Sequence, residues 1–240
     1  MTLAGLAVLL LVAGGFVAFS SGQPVRELGH QDDSVRRRLA SVLWTFAAAC
    51  AAGATGLGVG GWELPAASAV GVLVAAITYA LVPGVVGQLG IWIGSIGLVT
   101  GLVAEIGDDS GMVWNAVALV ALGAGWVVLG LTRTVRGREV ALASGAAIAL
   151  LGAQLPIFSD QQWVGYVLTA GVALAGFIGY LSTRSWSVLT AGVLATTLVV
   201  PEALHDWTDG SVSAVGSLLL AGLTLLTASA AGLRLRREVR

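Results

Sequence analysis

The sequence contains no lysine, and all twelve of its basic side chains are arginines. A chain without lysine has no lysine amine for a Schiff base, which excludes a retinal pigment and related chemistry. Cys50 is the single cysteine, so an intramolecular disulfide is impossible. Charged residues make up only 10% of the chain. Few groups are therefore available for catalysis.

Apolar residues dominate the 240-residue chain, with 57% hydrophobic residues and a mean hydropathy of +0.91. A soluble domain of this length could not bury so much apolar surface. The 34 glycines suit membrane helices, which tolerate glycine better than soluble helices do. We therefore predict an all-α fold, a polytopic transmembrane helix bundle in one membrane domain over 1–240.

Successive apolar runs along the chain are long enough to cross a bilayer. The first run has no preceding positive charge and so lacks the n-region of a signal peptide. The eighth, Trp186 to Val200, is the shortest, and at ~1.5 Å per residue it barely reaches across a ~30 Å hydrocarbon layer. The nine predicted spans are about 3–19, 39–59, 66–82, 85–104, 112–131, 140–158, 163–181, 186–200 and 212–233.

The distribution of charge tests this count. With nine spans every arginine falls on one side of the membrane, and eight of the thirteen acidic residues fall on the other. The positive-inside rule then places the N-terminus outside and the C-terminus in the cytoplasm, in a bacterial inner (cytoplasmic) membrane. Omitting any single span would scatter the arginines. Omitting 66–82 and 85–104 together would not, so a re-entrant pair there is an alternative.

Four tryptophans lie at predicted outer boundaries, where an amphipathic ring suits the headgroup level. They are Trp62, Trp114, Trp163 and Trp207, separated by 52, 49 and 44 residues. One explanation is a repeated two-helix hairpin, with all copies in the same orientation and a half copy at the C-terminus. The other is an ordinary antiparallel bundle with a tryptophan belt.

The fourth span carries glycines at alternating steps of three and four, which places them on one stripe of a helix. A stripe without side chains allows a neighbouring helix to approach closely. We expect this span to be the most closely packed in the bundle. The stripe consists of Gly87, Gly90, Gly94, Gly97 and Gly101. A weaker pattern of small residues, Gly171, Ala175 and Gly179, follows on the seventh span.

The C-terminal part of the chain, from Gly179 onward, carries two characteristic stretches. His205-Asp206-Trp207-Thr208-Asp209-Gly210 precedes a Leu- and Gly-rich span, which ends in Gly232-Leu233-Arg234-Leu235-Arg236-Arg237. This pattern resembles uncharacterised multi-span membrane proteins of actinobacteria, described only as domains of unknown function. The resemblance implies no activity.

A second local resemblance concerns Ser144. Ala143-Ser144-Gly145-Ala146, followed by Leu150-Leu151-Gly152-Ala153, resembles the nucleophile segment of rhomboid intramembrane proteases. Those enzymes also need a histidine on a facing span, whereas His30 and His205 both fall in predicted loops. A serine without a base in reach is not an activated nucleophile. We therefore expect helix packing here and no enzyme.

The loop after the eighth span is a candidate metal site. Glu202, His205, Asp206 and Asp209 would share one face of a short helix opened by Pro201, and their donor atoms suit a divalent cation. Acidic outer loops are also expected wherever arginine is kept inside, and Asp209-Gly210 is an ordinary turn signal. A solvated loop is the simpler interpretation, and no cofactor is expected.

The cytoplasmic arginine clusters should attract anionic lipid headgroups, by ~1 kcal/mol for each residue. The predicted headgroup contacts are Arg36, Arg37, Arg38, Arg133, Arg136 and Arg138. No aromatic platform accompanies them, so a nucleic acid partner is not expected. The partners predicted on this basis are the bilayer, other membrane subunits or a second copy of the chain.

No predicted span has an ionisable residue near its centre, which disfavours a proton-coupled transporter. The hydroxyls at depth can bond to their own helices. The sequence thus favours a non-catalytic membrane-embedded subunit, anchor or scaffold. The alternatives are a permease or channel for a small neutral or lipidic solute, and a divalent-metal-dependent site on the outer face.

Overall fold

The computed structural model describes residues 2–19, 35–106, 111–135 and 137–207, and in the C-terminal part Gly216, Leu219, Arg234, 222–227 and 229–230. Most of these residues are helical and none of them lies in a β-strand, which confirms the predicted all-α class. The chain divides into two compact units, Met1–Gly107 and Asp108–Arg240.

The described residues of the first unit form four α-helices. They are α1 (Leu3–Phe19), α2 (Val35–Gly56), α3 (Glu63–Leu81) and α4 (Val85–Ile106). Trp44 of α2 is buried, and its indole lies directly over Gly14 of α1, where a β-carbon would overlap it. The Trp44 Nε1 donates a hydrogen bond of 3.1 Å to the carbonyl of Leu11. This contact joins α1 to α2.

The second unit has the same number of described α-helices. They are α5 (Gly111–Leu131), α6 (Arg138–Gln154), α7 (Gln162–Thr183) and α8 (Trp186–Trp207), and a short 3-10 helix, Leu155–Phe158, continues α6. α5 and α6 pack backbone against backbone, because Gly123 and Gly145 face each other. The last predicted span, 212–233, lies largely outside the described residues.

In the part of the chain that the structure describes, seven segments are long and apolar enough to cross a membrane, one in each helix from α2 to α8. In α6 the segment includes the 3-10 turn. α1 has only 17 residues and is shorter than each of these seven segments. Large apolar side chains point outward along the helices, with Phe46 62% exposed and Leu73 60% exposed. This composition and exposure suit a multi-pass membrane protein.

The eighth helix is longer than the sequence predicts. α8 has 22 residues and contains Pro201 within it. Membrane helices tolerate proline, because neighbouring groups and local adjustments satisfy the freed backbone carbonyl. The expectation of a short span ending at Val200 is therefore wrong for the helix itself.

The most closely packed helix is also a different one. Nine of the 21 residues in Arg138–Phe158 are buried, whereas only three of the 22 in Val85–Ile106 are. α6 packs against α5, α7 and α8, while α4 meets α3 and part of α2. The glycine stripe brings one face of α4 close to its neighbours, and the other faces of the helix are not buried. The expectation that α4 is the most closely packed helix is therefore wrong.

Both units follow one order of helix contacts. In each, the first helix packs on the second, the second on the third and fourth, and the third on the fourth. Residues 101 positions apart correspond in type: Trp62 and Trp163, Leu73 and Leu174, Ile77 and Ile178, Tyr79 and Tyr180. The two leucines are 60% and 62% exposed, and the two isoleucines 54% and 58%. The shared order therefore spans four helices, which is twice the hairpin considered from the sequence.

Candidate functional site: an apolar cleft in the second unit

A cleft of about 400 Å³ opens between helices of the second unit. Most of its lining comes from α5 and α7, which we call its walls, and α6 and α8 contribute two residues each. The lining is almost wholly apolar, with Val120, Val128 and Leu131 from α5 among the larger side chains. A volume of this size lies within the ~300–1,000 Å³ of small-molecule sites.

Small residues on α7 leave this space open. Gly171, Ala175 and Gly179 all line the cleft, and a β-carbon at Gly171 would meet no atom within 4 Å. In the first unit the positions 101 residues earlier hold Val70, Val74 and Thr78. The small residues of the predicted seventh span therefore line the cleft, and one of them, Gly179, also lies close to Val188 of α8.

One end of the cleft is polar. Ser182 and Thr183 line it there. Arg138 at the start of α6 donates from Nη2 to the Thr183 carbonyl at 3.2 Å. Glu139 accepts a hydrogen bond of 2.7 Å from the Ser185 hydroxyl through its Oε2. These bonds tie the start of α6 to the end of α7 and the start of α8.

Two exposed arginines follow the helices that form the cleft walls. Arg133 comes two residues after Leu131, and Arg184 comes directly after Thr183. Both have left-handed backbone conformations, with φ of 56° and 55°. Such values favour glycine and cost a residue with a β-carbon roughly 1–2 kcal/mol. The chain thus keeps arginine at two turns where glycine would be the easier residue.

The glycines of the α4 stripe face the preceding helices. A β-carbon at Gly94 would lie 2.7 Å from Val72 Cγ2, one at Gly97 2.6 Å from Ser68 Oγ, and one at Gly101 2.9 Å from the Pro65 nitrogen. Gly87 and Gly90 have looser surroundings, at 3.5 Å from Tyr79 and 3.2 Å from Thr45. The stripe is thus a seam between α4 and α3, with Gly90 also touching α2.

The predicted metal residues lie at or beyond the end of α8. Glu202 is half-buried, the side chains of His205 and Asp206 fall outside the described part of the structure, and so does Asp209. Among the residues that are described, no three His, Cys, Asp or Glu side chains come together as a metal site would require.

The predicted headgroup arginines differ from one another. Arg38 and Arg133 are exposed, whereas Arg138 is half-buried and donates to the Thr183 carbonyl. Its Nη1 also lies 3.8 Å from Glu139 Oε1. The side chains of Arg36, Arg37 and Arg136 are not among those described. Arg184 was not among the predicted headgroup residues, yet it directly follows Thr183, which lines the cleft.

Ser144 is buried, and its hydroxyl donates a 3.2 Å hydrogen bond to the Ala141 carbonyl of its own helix. It lies next to Gly145, where α5 and α6 meet backbone to backbone. His30 and the His205 side chain fall outside the described residues. The surroundings of Ser144 are thus those of a packed helix contact.

Two amide side chains lie in buried or half-buried positions within the helices, and the sequence analysis singled out neither of them as a site. Gln154 Nε2 of α6 donates to Thr169 Oγ1 of α7 at 3.1 Å, and Thr169 is fully buried. Gln88 of α4 is 1% exposed. An amide inside an otherwise apolar run is the only signal that marks these two positions.

Family models, curated proteins and solved structures were compared with the chain, and none matches.

Proposed function

We propose that this chain is a non-catalytic, multi-pass protein of the cytoplasmic membrane that acts as a membrane-embedded subunit or scaffold. The observation that carries the proposal is the way its polar groups are used. Hydroxyls along the helices bond to carbonyls four residues earlier in the same helix. They belong to Thr45, Thr55, Ser95, Thr100, Thr196 and Thr197.

These hydroxyls are thus paired within their own helices. The cleft, which would be the natural path, has an apolar lining over most of its length. Gln154 and Thr169 bond to each other. Proton-coupled carriers commonly place ionisable groups at mid-depth, and Arg138 and Glu139 of the second unit instead lie at a helix end. This arrangement favours a structural role over transport of an ion.

The topology that we propose has nine spans, with the N-terminus outside and the C-terminus in the cytoplasm. It is supported by Arg133 and Arg184, which end α5 and α7. Because one helix separates α5 from α7, both run in the same direction, and the two arginines come out on one face. The exposed tryptophans Trp114 and Trp163 begin the same two helices, at the opposite ends.

Cysteine labelling tests this topology. In a Cys50→Ala background, Asp160→Cys should react with a membrane-impermeant maleimide in intact cells. Thr134→Cys should react only after the membrane is permeabilised. Both positions are exposed, so burial does not decide the result. Equal labelling of both in intact cells would overturn the orientation.

The scaffold role is tested by photo-crosslinking in native membranes. A photoreactive residue at Phe46, which is 62% exposed, should yield a discrete adduct with one partner protein. The same residue at Ala75, which is 1% exposed, is the control and should crosslink only within the chain. If Phe46 gives lipid adducts alone, and the chain purifies without a stoichiometric partner, the subunit role is wrong.

The apolar cleft favours one alternative, a permease for a lipidic solute. Reconstitution in liposomes with fluorescent phospholipid separates the two roles, because a scaffold does not accelerate lipid movement between leaflets. Acceleration by the wild-type chain that disappears when the cleft is filled by Gly171→Val and Ala175→Val would favour the permease.

A further inference from the structure

We propose that the cleft of the second unit binds one anionic phospholipid, with an acyl chain between α5 and α7 and the headgroup phosphate at Arg133 and Arg184. The proposal needs only a membrane location and does not depend on the scaffold role. It goes beyond general attraction of arginines to the membrane surface, because it assigns one place in the fold and one kind of occupant.

The shape of the cleft suits a chain-like apolar ligand. Its α7 wall extends from Val167 to Thr183, which at ~1.5 Å per residue is about 24 Å of helix, most of a ~30 Å hydrocarbon layer. Along this wall Gly171 and Ala175 provide no large side chain to fill the space. A long, narrow, apolar cleft beside lipid is therefore filled most simply by hydrocarbon.

The charge at one end selects the headgroup. Leu131 and Thr183 line the same cleft, so the helix ends that carry Arg133 and Arg184 lie on its border. Both arginines are exposed. Glu139, the described acid that is nearest to Arg133 in sequence, accepts hydrogen bonds from Ser185 at 2.7 Å and Ser187 at 3.4 Å. Two exposed arginines thus border this end of the cleft.

An anionic phospholipid fits this combination better than a protein helix does. A second copy of the chain would bring its own apolar helix into the cleft but would gain nothing from two arginines at one end. A phosphodiester is matched by the planar guanidinium fork of arginine. A neutral phospholipid could fill the apolar part equally well, so the arginines should appear as a preference for negative headgroups.

The test is native mass spectrometry of the full chain in mild detergent, titrated with phosphatidylglycerol or with phosphatidylcholine of the same acyl chains. Wild-type protein should bind one phosphatidylglycerol more tightly than one phosphatidylcholine. Replacing either arginine, Arg133→Gln or Arg184→Gln, should weaken phosphatidylglycerol binding about five-fold and leave phosphatidylcholine unchanged. Arg234→Gln, at another exposed arginine, is the charge control and should have no effect.

A second pair of variants tests the cleft itself. Gly171→Val with Ala175→Val should reduce binding of both lipids, because the added methyl groups occupy the space. The control is Gly125→Val on α5, where a β-carbon also meets nothing within 4 Å but which does not line the cleft. Circular dichroism and thermal unfolding establish that the variants fold. If the Gly171→Val, Ala175→Val variant does not fold, the variants at the exposed Arg133 and Arg184 still test the proposal.

Three results would overturn the proposal. The first is equal lipid binding by the filled-cleft variant and by Gly125→Val. The second is a phosphatidylglycerol preference that survives loss of both arginines. The third is competition by inorganic phosphate with the same dependence on Arg133 and Arg184, which would mean a free-anion site. A change of oligomeric state in the filled-cleft variant, without a change in lipid binding, would assign the cleft to a second copy of the chain.

Discussion

The contact between α5 and α6 yields a sharp prediction, because no side chain separates the two helices there. A β-carbon on Gly123 would lie 2.5 Å from the Gly145 carbonyl oxygen and 2.7 Å from the Ala149 nitrogen. The relation is reciprocal, since a β-carbon on Gly145 would lie 2.6 Å from the Gly123 oxygen. Backbone atoms cannot turn aside as a flexible side chain can. Gly123→Ala should therefore force the helices apart and destabilise the second unit.

The matched control lies two residues along the same helix. At Gly125 a β-carbon meets nothing within 4 Å. Alanine gains about 1 kcal/mol over glycine in a helix at both positions, so this gain cancels when the two variants are compared. The remaining overpacking cost is about 1–3 kcal/mol. At about 2–4 °C for each kcal/mol, Gly123→Ala should melt about 2–12 °C below Gly125→Ala.

Thermal unfolding in one detergent, followed by circular dichroism, measures this difference. Equal melting temperatures for the two variants would refute the backbone contact between α5 and α6. The same result would remove the reason for α6 being the most buried helix.

Three further predictions concern polar groups. Trp44→Phe should cost about 1 kcal/mol of unfolding free energy, because it deletes the hydrogen bond to α1 while keeping an aromatic ring, and unchanged stability would mean that the bond contributes nothing. A double-mutant cycle with Gln154→Leu and Thr169→Val should give a coupling near the ~0.6 kcal/mol average for bonds between membrane helices, and zero coupling would contradict the bond. Metal analysis of purified protein should be the same for wild type and His205→Ala, whereas one metal ion per chain that is lost in the variant would establish the metal site.

Much of the helical framework was predictable from the sequence, because a long apolar run predicts a membrane helix. The predicted second, fourth and seventh spans each overlap most of α2, α4 and α7. The end of α8 was not predictable from Pro201 alone. In soluble proteins proline usually ends or kinks a helix, because it removes a backbone hydrogen bond and its ring clashes with the carbonyl four residues earlier. In a membrane bundle, neighbouring groups can satisfy the freed carbonyl, so the helix can continue past the proline.

The site was less accessible to sequence reasoning. A cleft arises from side chains that are missing between helices distant in sequence, and no local pattern shows which gaps a neighbour fills. The glycines of α4 and the small residues of α7 gave similar signals. In the structure Gly94 and Gly101 have close neighbours, while Gly171 has none within 4 Å. Only the tertiary arrangement distinguishes a seam from an opening.

The comparison of the two units explains where a specific site can arise. Both units keep the same order of helix contacts, so the residues that differ at corresponding positions decide what each unit can bind. Val82 of the first unit is 3% exposed and belongs to an apolar core with Trp44. Its counterpart 101 residues later is Thr183, which lines the cleft and whose carbonyl holds Arg138.

The next turn of the chain shows the same change. Gly84 of the first unit lies against Ser41 of α2, where an added β-carbon would be 2.8 Å from the hydroxyl. Its counterpart is Ser185, which donates to Glu139 across the same pair of helices in the second unit. A closely fitted corner in the first unit thus corresponds to one that contains a carboxylate in the second. Since polar atoms at a helix end gain most where they meet headgroups and water, the second unit is where we expect a cleft to recognise a single charged lipid.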